Sequence, residues 1–247
     1  MTQAVNAQLR SAQEIIRDAR VSQAPNGVCY TSVGEIKLAS DDLERIIGAV
    51  PRSIAGALDR KAFYFVPLTI GEEDRTVIVE RFDGPVPEGA LCHRNFESGN
   101  AQCIFISTRL MEDRFAVAFE FYINVGHAFV EKAGISPEFA DVAWAQVTSN
   151  VRGETSLDAY EFRKQAQPFG SGRVDEKAKS DYLAAAFSDS IAIYLLSLCL
   201  DVDYYELRER DYPLLVPSAL ADRLKKVAEL FPPNPGFQFN VFYKRRT

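Results

Sequence analysis

Polar positions in an otherwise apolar stretch distinguish residues 114–134, RFAVAFEFYINVGHAFVEKAG. The polar residues follow one another at intervals of four, three and four: Glu120, Asn124, His127 and Glu131. At 3.6 residues per turn, this spacing holds them within an arc of about 60° on one face of a helix. Since the other faces carry Phe, Val, Ala, Ile and Tyr, the pattern predicts a buried helix whose polar stripe either meets solvent or lines a cleft.

The rest of the chain alternates between strand-like and helix-like patterns. Aromatic and β-branched residues predict strands over 62–70, 75–82 and 100–108, the first two forming a hairpin. Helical spacing predicts amphipathic helices over 3–21, 41–50, 51–58, 137–150 and 217–230, and a second buried helix over 180–200. Residues 151–175 are polar and contain Gly and Pro, so we expect a long connection there, either a lid or disordered.

These elements predict an α+β fold in one domain, 1–247. Its expected parts are a helical N-terminal part (1–59), a sheet followed by the polar-striped helix (60–134), and a helical C-terminal part (135–247). No internal repeat or change in composition marks a second domain.

Composition narrows the function classes. The net charge is −6 and the only basic run is the terminal YKRRT, which argues against nucleic-acid binding. The longest apolar run, 191–200, is too short to cross a bilayer, and the N-terminus has no apolar segment typical of a signal peptide. The four cysteines are scattered without CxxC spacing, which predicts free thiols and a cytoplasmic location.

Three segments carry a family resemblance. INVGHAF (123–129) looks like the HExGHAF form of the zincin metallopeptidase motif, and CIFIST (103–108) resembles the edge strand that precedes that motif helix. AAFSDSIAIYLL (185–196) resembles the ExFAExFAxYL helix of gluzincins, particularly the anthrax lethal factor-like branch, and PPNPGFQFN (232–240) is similar to that branch's tail. The resemblance implies a zincin-like fold, in which a small mixed sheet with an edge strand packs on a buried active-site-type helix.

The same alignment shows that the active-site motif is largely lost. Ile123 stands at the first histidine position and Asn124 at the catalytic glutamate position, so only His127 remains. In the second helix, the two glutamate positions hold Ala185 and Asp189. A zinc hydrolase needs imidazole ligands and a carboxylate that takes a proton from water, and neither Ile nor Asn supplies these.

Some residues that could bind a metal or line the cleft remain. Glu120, His127 and Asp189 are the residues left that could hold a metal, and Glu120 and Tyr194 are candidates to line the cleft. The second histidine of the chain, His93, is expected in a loop before the edge strand. Because adjacent residues on a strand point to opposite faces, Cys92 and His93 make a poor thiolate–imidazole pair.

Three functions remain open at this point. The preferred one is a non-catalytic zincin-like domain, without catalytic residues or cofactor, whose groove beside the edge strand binds a peptide or protein partner. The alternatives are a metal-dependent peptidase or hydrolase with non-standard ligands, in which zinc is the cofactor, and a structural or regulatory domain with a closed cleft. The sequence specifies neither the natural ligand nor an oligomeric state.

Overall fold

The computed structural model describes residues 9–70, 76–79, 92–109, 114–167, 173–201, 204 and 212–241. Within this part of the chain the strands are β1 (Leu9–Ser11), β2 (Ser22–Gln23), β3 (Cys29–Ser32), β4 (Lys61–Val66), β5 (Leu68–Ile70), β6 (Thr76–Val79), β7 (His93–Ser98) and β8 (Ala101–Ser107). The helices are α1 (Ala12–Asp18), α2 (Ser40–Gly48), α3 (Arg52–Ala55), α4 (Arg114–Ala133), α5 (Pro137–Thr148), α6 (Leu157–Ala166), α7 (Glu176–Cys199) and α8 (Pro217–Leu230). The predicted α+β class is confirmed.

The chain forms two compact units, Met1–Phe121 and Tyr122–Thr247, whose boundary falls inside α4. The predicted single-domain organisation stays a prediction. Among the described residues, α7 is the one helix with the length and hydropathy of a membrane span, and 78% of its apolar window is buried within the protein. Such burial is typical of the core helix of a soluble protein.

A mixed five-stranded sheet organises the first unit, in the order β2-β3-β4-β8-β7. The three central strands run parallel, and β2 and β7 pair antiparallel at its two sides. One face packs on α4, where the ring of Phe121 lies 4.9 Å from that of Phe63 and 5.6 Å from that of Phe65. The sheet is therefore buried on the side from which α4 approaches.

The opposite face of the sheet packs on α1 and on a smaller sheet, β1-β6-β5. The buried residues of this cluster are Ala12, Ile15, Tyr64, Val66, Leu68, Ile78, Cys103 and Phe105. The side chains of β4 and β8 alternate between this cluster and the α4 face, since the strand period is two. A central strand covered on both faces accounts for the nearly continuous apolar run of AFYFV.

Helices make up most of the second unit, in which α7 packs against α5, α6 and α8. Its aromatic core joins α5, α7 and the end of α4: the ring of Phe187 lies 4.5 Å from that of Phe139 and 6.2 Å from that of Phe129. Phe231, just after α8, completes the cluster at 5.0 Å from Phe129.

Five local predictions are wrong. The helix expected over 3–21 is confined in the described residues to α1, because Ser11 and Glu14 form a capping box and Leu9–Ser11 pairs with β6. The N-terminal part is not purely helical, since it also contributes β1, β2 and β3. The connection predicted over 151–175 contains α6, whose N-cap Ser156 accepts from the backbone N–H of Ala159.

The fourth and fifth corrections concern the sheet edge. The strand matched to the edge position, β8, lies between β4 and β7, so the outer strand is β7. His93, expected in a loop, is the first residue of that strand. The bounds of α4, α5, α7 and α8 agree with the sequence-based expectation to within a few residues.

Candidate functional site

The polar stripe of α4 is neither fully exposed nor fully buried. The side chain of Glu120 is 16% exposed and Asn124 is 7% exposed, whereas His127 and Glu131 are exposed. The stripe therefore passes from a packed environment into solvent along one helix.

In the second unit, α4 and α7 approach each other at the residues matched to the zincin motifs. A Cβ atom placed on Gly126 would lie 2.5 Å from the carbonyl oxygen of Ser188 and 3.1 Å from its Oγ. Any side chain at position 126 would push the backbones of the two helices apart. The glycine of INVGHAF is thus required by a close helix–helix contact.

The residues at this contact have little capacity to bind a metal. Ile123 and Ala185 carry no donor atoms, and Asn124 offers a buried amide. Within the described part of the chain, no group of three or more His, Cys, Asp and Glu residues is arranged to hold a metal ion. A zincin-type zinc centre does not fit the residues present.

Asp189, at the second glutamate position, is engaged within the protein. Its Oδ2 accepts a hydrogen bond from Thr155 Oγ1 at 2.7 Å, and the Ser156 side chain also donates to it. Burial raises the pKa of the Asp189 carboxyl from 3.8 to about 6, with a smaller contribution from the nearby charge of Glu154. These hydrogen bonds and Arg223 oppose the increase. The carboxyl of Asp189 therefore binds its proton more tightly than an exposed aspartate does.

Next to Asp189 lies a buried ionic cluster that the sequence did not reveal: Glu154, Arg163, Tyr182 and Arg223. Glu154 and Arg223 are both fully buried. Glu154 Oε2 accepts from Arg223 Nη1 at 2.9 Å, and Oε1 accepts from Arg163 Nη1 and from the Tyr182 hydroxyl, each at 3.0 Å. One carboxylate thus holds two guanidinium groups from α6 and α8 together with a phenol from α7.

The cluster is completed by neutral partners. Arg223 Nε donates to Gln146 Oε1 at 2.7 Å, and its Nη2 donates to the Tyr182 hydroxyl at 2.9 Å. The backbone of Glu154 pairs with the segment before α8: its N–H donates to the carbonyl of Pro213 at 3.0 Å, and its carbonyl accepts from Leu215 at 2.9 Å. Enclosed on all sides in this way, the cluster has the character of a structural core and not of a substrate site.

Tyr194, a cleft candidate, is fully buried in the second unit. Its hydroxyl donates to the carbonyl oxygen of Phe231 at 2.7 Å, and its ring lies 5.3 Å from that of Phe239. Tyr194 therefore fastens the segment after α8 against α7.

In the first unit, the structure joins Glu120 to a residue that was expected in a loop. His93 Nδ1 lies 2.5 Å from Glu120 Oε1, and the two side chains are 44% and 16% exposed. The hydrogen bond to Glu120 raises the pKa of His93, and partial burial opposes it. The exposure of this strand alternates in the structure, but HRNFES contains a single apolar residue and so lacks the apolar/polar alternation that predicts a strand from sequence.

Comparisons with known proteins do not assign these features to a family. No protein-family model matches the chain, and no relative is found among curated proteins. The fold class follows from the structure, which is an α+β protein with a small mixed sheet and a largely helical second unit.

Proposed function

We propose that this chain is a non-catalytic zincin-like domain, a pseudo-metallopeptidase, which binds an extended peptide segment by strand addition at the outer edge of β7. The observation that carries this proposal is the contact between Gly126 and Ser188. It brings together the two helices matched to the metallopeptidase motifs, while Ile123 and Asn124 occupy the positions of a ligand and the general base. The order of strand, motif helix and second buried helix supports the same assignment.

Binding at β7 is supported by the exposure of that strand. On its inner side β7 pairs with β8, and within the described residues no strand pairs with its outer side. The side chains of His93, Asn95 and Glu97 are exposed. An open edge offers main-chain donors and acceptors to an incoming strand, independently of any metal.

The proposal includes a cytoplasmic location and excludes nucleic acid and membranes as partners. The four cysteines are free thiols, as expected in a reducing compartment. The alternative of a metal-dependent hydrolase is disfavoured by the donor set at the contact of α4 and α7. The close contact of Gly126 with Ser188 fits a cleft that is closed between α4 and α7, so the proposal places binding at the edge of β7 and not in that cleft.

Restoring the lost motif tests the alignment on which the proposal depends. The double variant Ile123→His/Asn124→Glu is expected to bind zinc measurably by calorimetry, because two imidazoles one turn apart on a helix form a zinc half-site. The wild-type chain, purified without added metal, is expected to contain no stoichiometric zinc by elemental analysis.

The control adds His127→Ala to the double variant, which removes the second imidazole and should abolish the uptake. Absence of zinc binding by the double variant would show that the motif alignment is wrong. Stoichiometric zinc in the wild-type chain would overturn the non-catalytic assignment.

Strand addition is tested at Asn95, whose N–H faces away from β8. Asn95→Pro removes that donor and leaves the β7–β8 pairing intact, since proline is tolerated where an edge N–H points to solvent. A phage-displayed peptide library is expected to enrich binders on the wild-type chain and on the matched control Asn95→Ala, but not on Asn95→Pro. Equal enrichment on all three proteins would place peptide binding elsewhere, and enrichment on none would remove the peptide-binding function.

A further inference from the structure

The outward main-chain groups of β7 follow from its pairing with β8. The N–H of Ser107 donates to the carbonyl of Cys92 at 2.8 Å, and the register pairs Arg94 with Phe105 and Phe96 with Cys103. Because hydrogen-bonding direction alternates along an antiparallel strand, even-numbered residues of β7 bond to β8. The N–H and C=O groups of His93, Asn95 and Glu97 therefore point away from the sheet.

This outer edge is complementary to itself. Consider two copies of β7 paired antiparallel about a two-fold axis at Asn95. His93 then lies opposite Glu97 of the second copy, and Glu97 opposite its His93. Asn95 faces Asn95, whose amide both donates and accepts, and Arg94 faces Phe96. In this register the outward N–H and C=O groups of all three residues meet those of the second copy and can form hydrogen bonds.

Other registers that also place the outward N–H and C=O groups of the two strands opposite each other are less favourable. An axis at His93, Arg94 or Glu97 places two identical charged or titratable side chains directly opposite each other. An axis at Phe96 pairs Asn95 with Glu97 and leaves His93 without a carboxylate opposite it. Like charges at directly opposite positions destabilise a strand pair, whereas opposite charges stabilise it. The charge pattern of the strand thus selects the axis at Asn95.

The state of His93 favours its role in this pairing. Its Nδ1 is held by Glu120, which fixes the ring, and in the protonated ring Nε2 donates to a second acceptor. The same hydrogen bond raises the pKa of His93 and so favours the positively charged ring. Arg94 already lies over the ring of Phe96 in its own strand, with its guanidinium carbon 6.0 Å from the ring centroid.

We propose that the strand added at β7 is β7 of a second copy of this chain, giving a two-fold dimer with a continuous sheet. This inference rests on the strand addition proposed above and names its partner. Each strand contributes six residues, about 20 Å of edge. Edge pairing of that length buries less than a standard interface of roughly 1,200–2,000 Å², so the dimer forms weakly and its population rises with concentration.

Disulfide trapping tests the axis directly. Asn95→Cys in a Cys92→Ser background places two thiols at the two-fold axis, with Cα atoms about 5.5 Å apart, within disulfide range. Mild oxidation is expected to convert most of this variant to a covalent dimer. The matched control, Ser98→Cys in the same background, places its thiols about 20 Å apart across the axis and should remain monomeric. Equal crosslinking of both variants, or none of the first, would overturn the inference.

Sedimentation over a concentration series gives the independent measurement. The wild-type chain and Asn95→Ala are expected to dimerise increasingly with concentration, and Asn95→Pro is expected to stay monomeric. A monomeric wild-type chain, or a dimer that persists in Asn95→Pro, would rule out this partner. Peptide enrichment on a monomeric wild-type chain would contradict the dimer but support the proposed function. Zinc in the wild-type chain would contradict the non-catalytic assignment, whether or not the chain dimerises.

Discussion

Replacing Arg223 with methionine is expected to lower the free energy of unfolding by about 3–5 kcal/mol, the usual effect of removing one partner from a buried ion pair. Arg223 is fully buried and donates to both carboxylate oxygens of Glu154, at 2.9 and 3.3 Å. Methionine fills much of the same volume but leaves Glu154 with one guanidinium instead of two. The loss therefore comes from the buried oxygen Oε2 of Glu154, which loses its donor, and not from a cavity.

The measurement is urea unfolding followed by the fluorescence of Trp144, the single tryptophan, whose ring lies 6.3 Å from that of Tyr182. Lys225→Met is the matched control, since Lys225 is exposed on the same helix and its replacement should change stability by less than about 0.5 kcal/mol. Adding Glu154→Gln to Arg223→Met should lower stability further, because the buried guanidinium of Arg163 then loses its carboxylate partner. Equal stabilities of the Arg223 and Lys225 variants would show that the cluster does not stabilise the fold.

Asp189→Asn is expected to stabilise the protein near neutral pH and to leave it unchanged below pH 4. The folded-state pKa of Asp189 is about 6, against 3.8 as its ordinary value, so between these values the folded state binds more protons than the unfolded state. The free energy of unfolding of the wild-type chain therefore falls as pH rises from about 4 to about 6. Two pKa units correspond to at most about 3 kcal/mol, and partial exposure reduces this figure.

Asparagine carries no charge, and its carbonyl oxygen still accepts from Thr155. The difference between variant and wild type should grow across this pH window and stay constant above it, as measured by urea unfolding at a series of pH values. His93 is present in both proteins, so its own titration cancels in the difference. Asp181→Asn on the same helix is the matched control for the substitution itself. A difference independent of pH would contradict the assigned titration of Asp189.

The sequence predicted the elements whose signal is local. The apolar runs of α4 and α7 marked two buried helices, and the spacing within α4 placed Glu120, Asn124 and His127 on one face. The segment CIFIST was assigned to the wrong position in the sheet. Its unbroken apolar run is typical of a strand covered on both faces, in agreement with its position between β4 and β7.

The features that the sequence did not predict depend mostly on contacts with residues far away in the chain. Glu154 is buried because Arg163, nine residues later, and Arg223, 69 residues later, both pair with it, and the sequence does not show that the second partner lies close. The short strand CYTS owes its conformation to parallel pairing with β4, about thirty residues on. Helix α6 is mostly polar, so its amphipathic signal is weak, and the Ser156 cap was the only strong local indication.

The parallel pairing of β4 with β8 also has a consequence during synthesis. Lys61 of β4 lies beside Gln102 of β8, 41 residues later in the chain, whereas the β7–β8 hairpin closes through two residues. The apolar segment AFYFV therefore emerges from the ribosome well before its inner neighbour exists, with β3 as its first available partner. Until β8 is translated, one side of this strand is an open edge that chaperones can recognise.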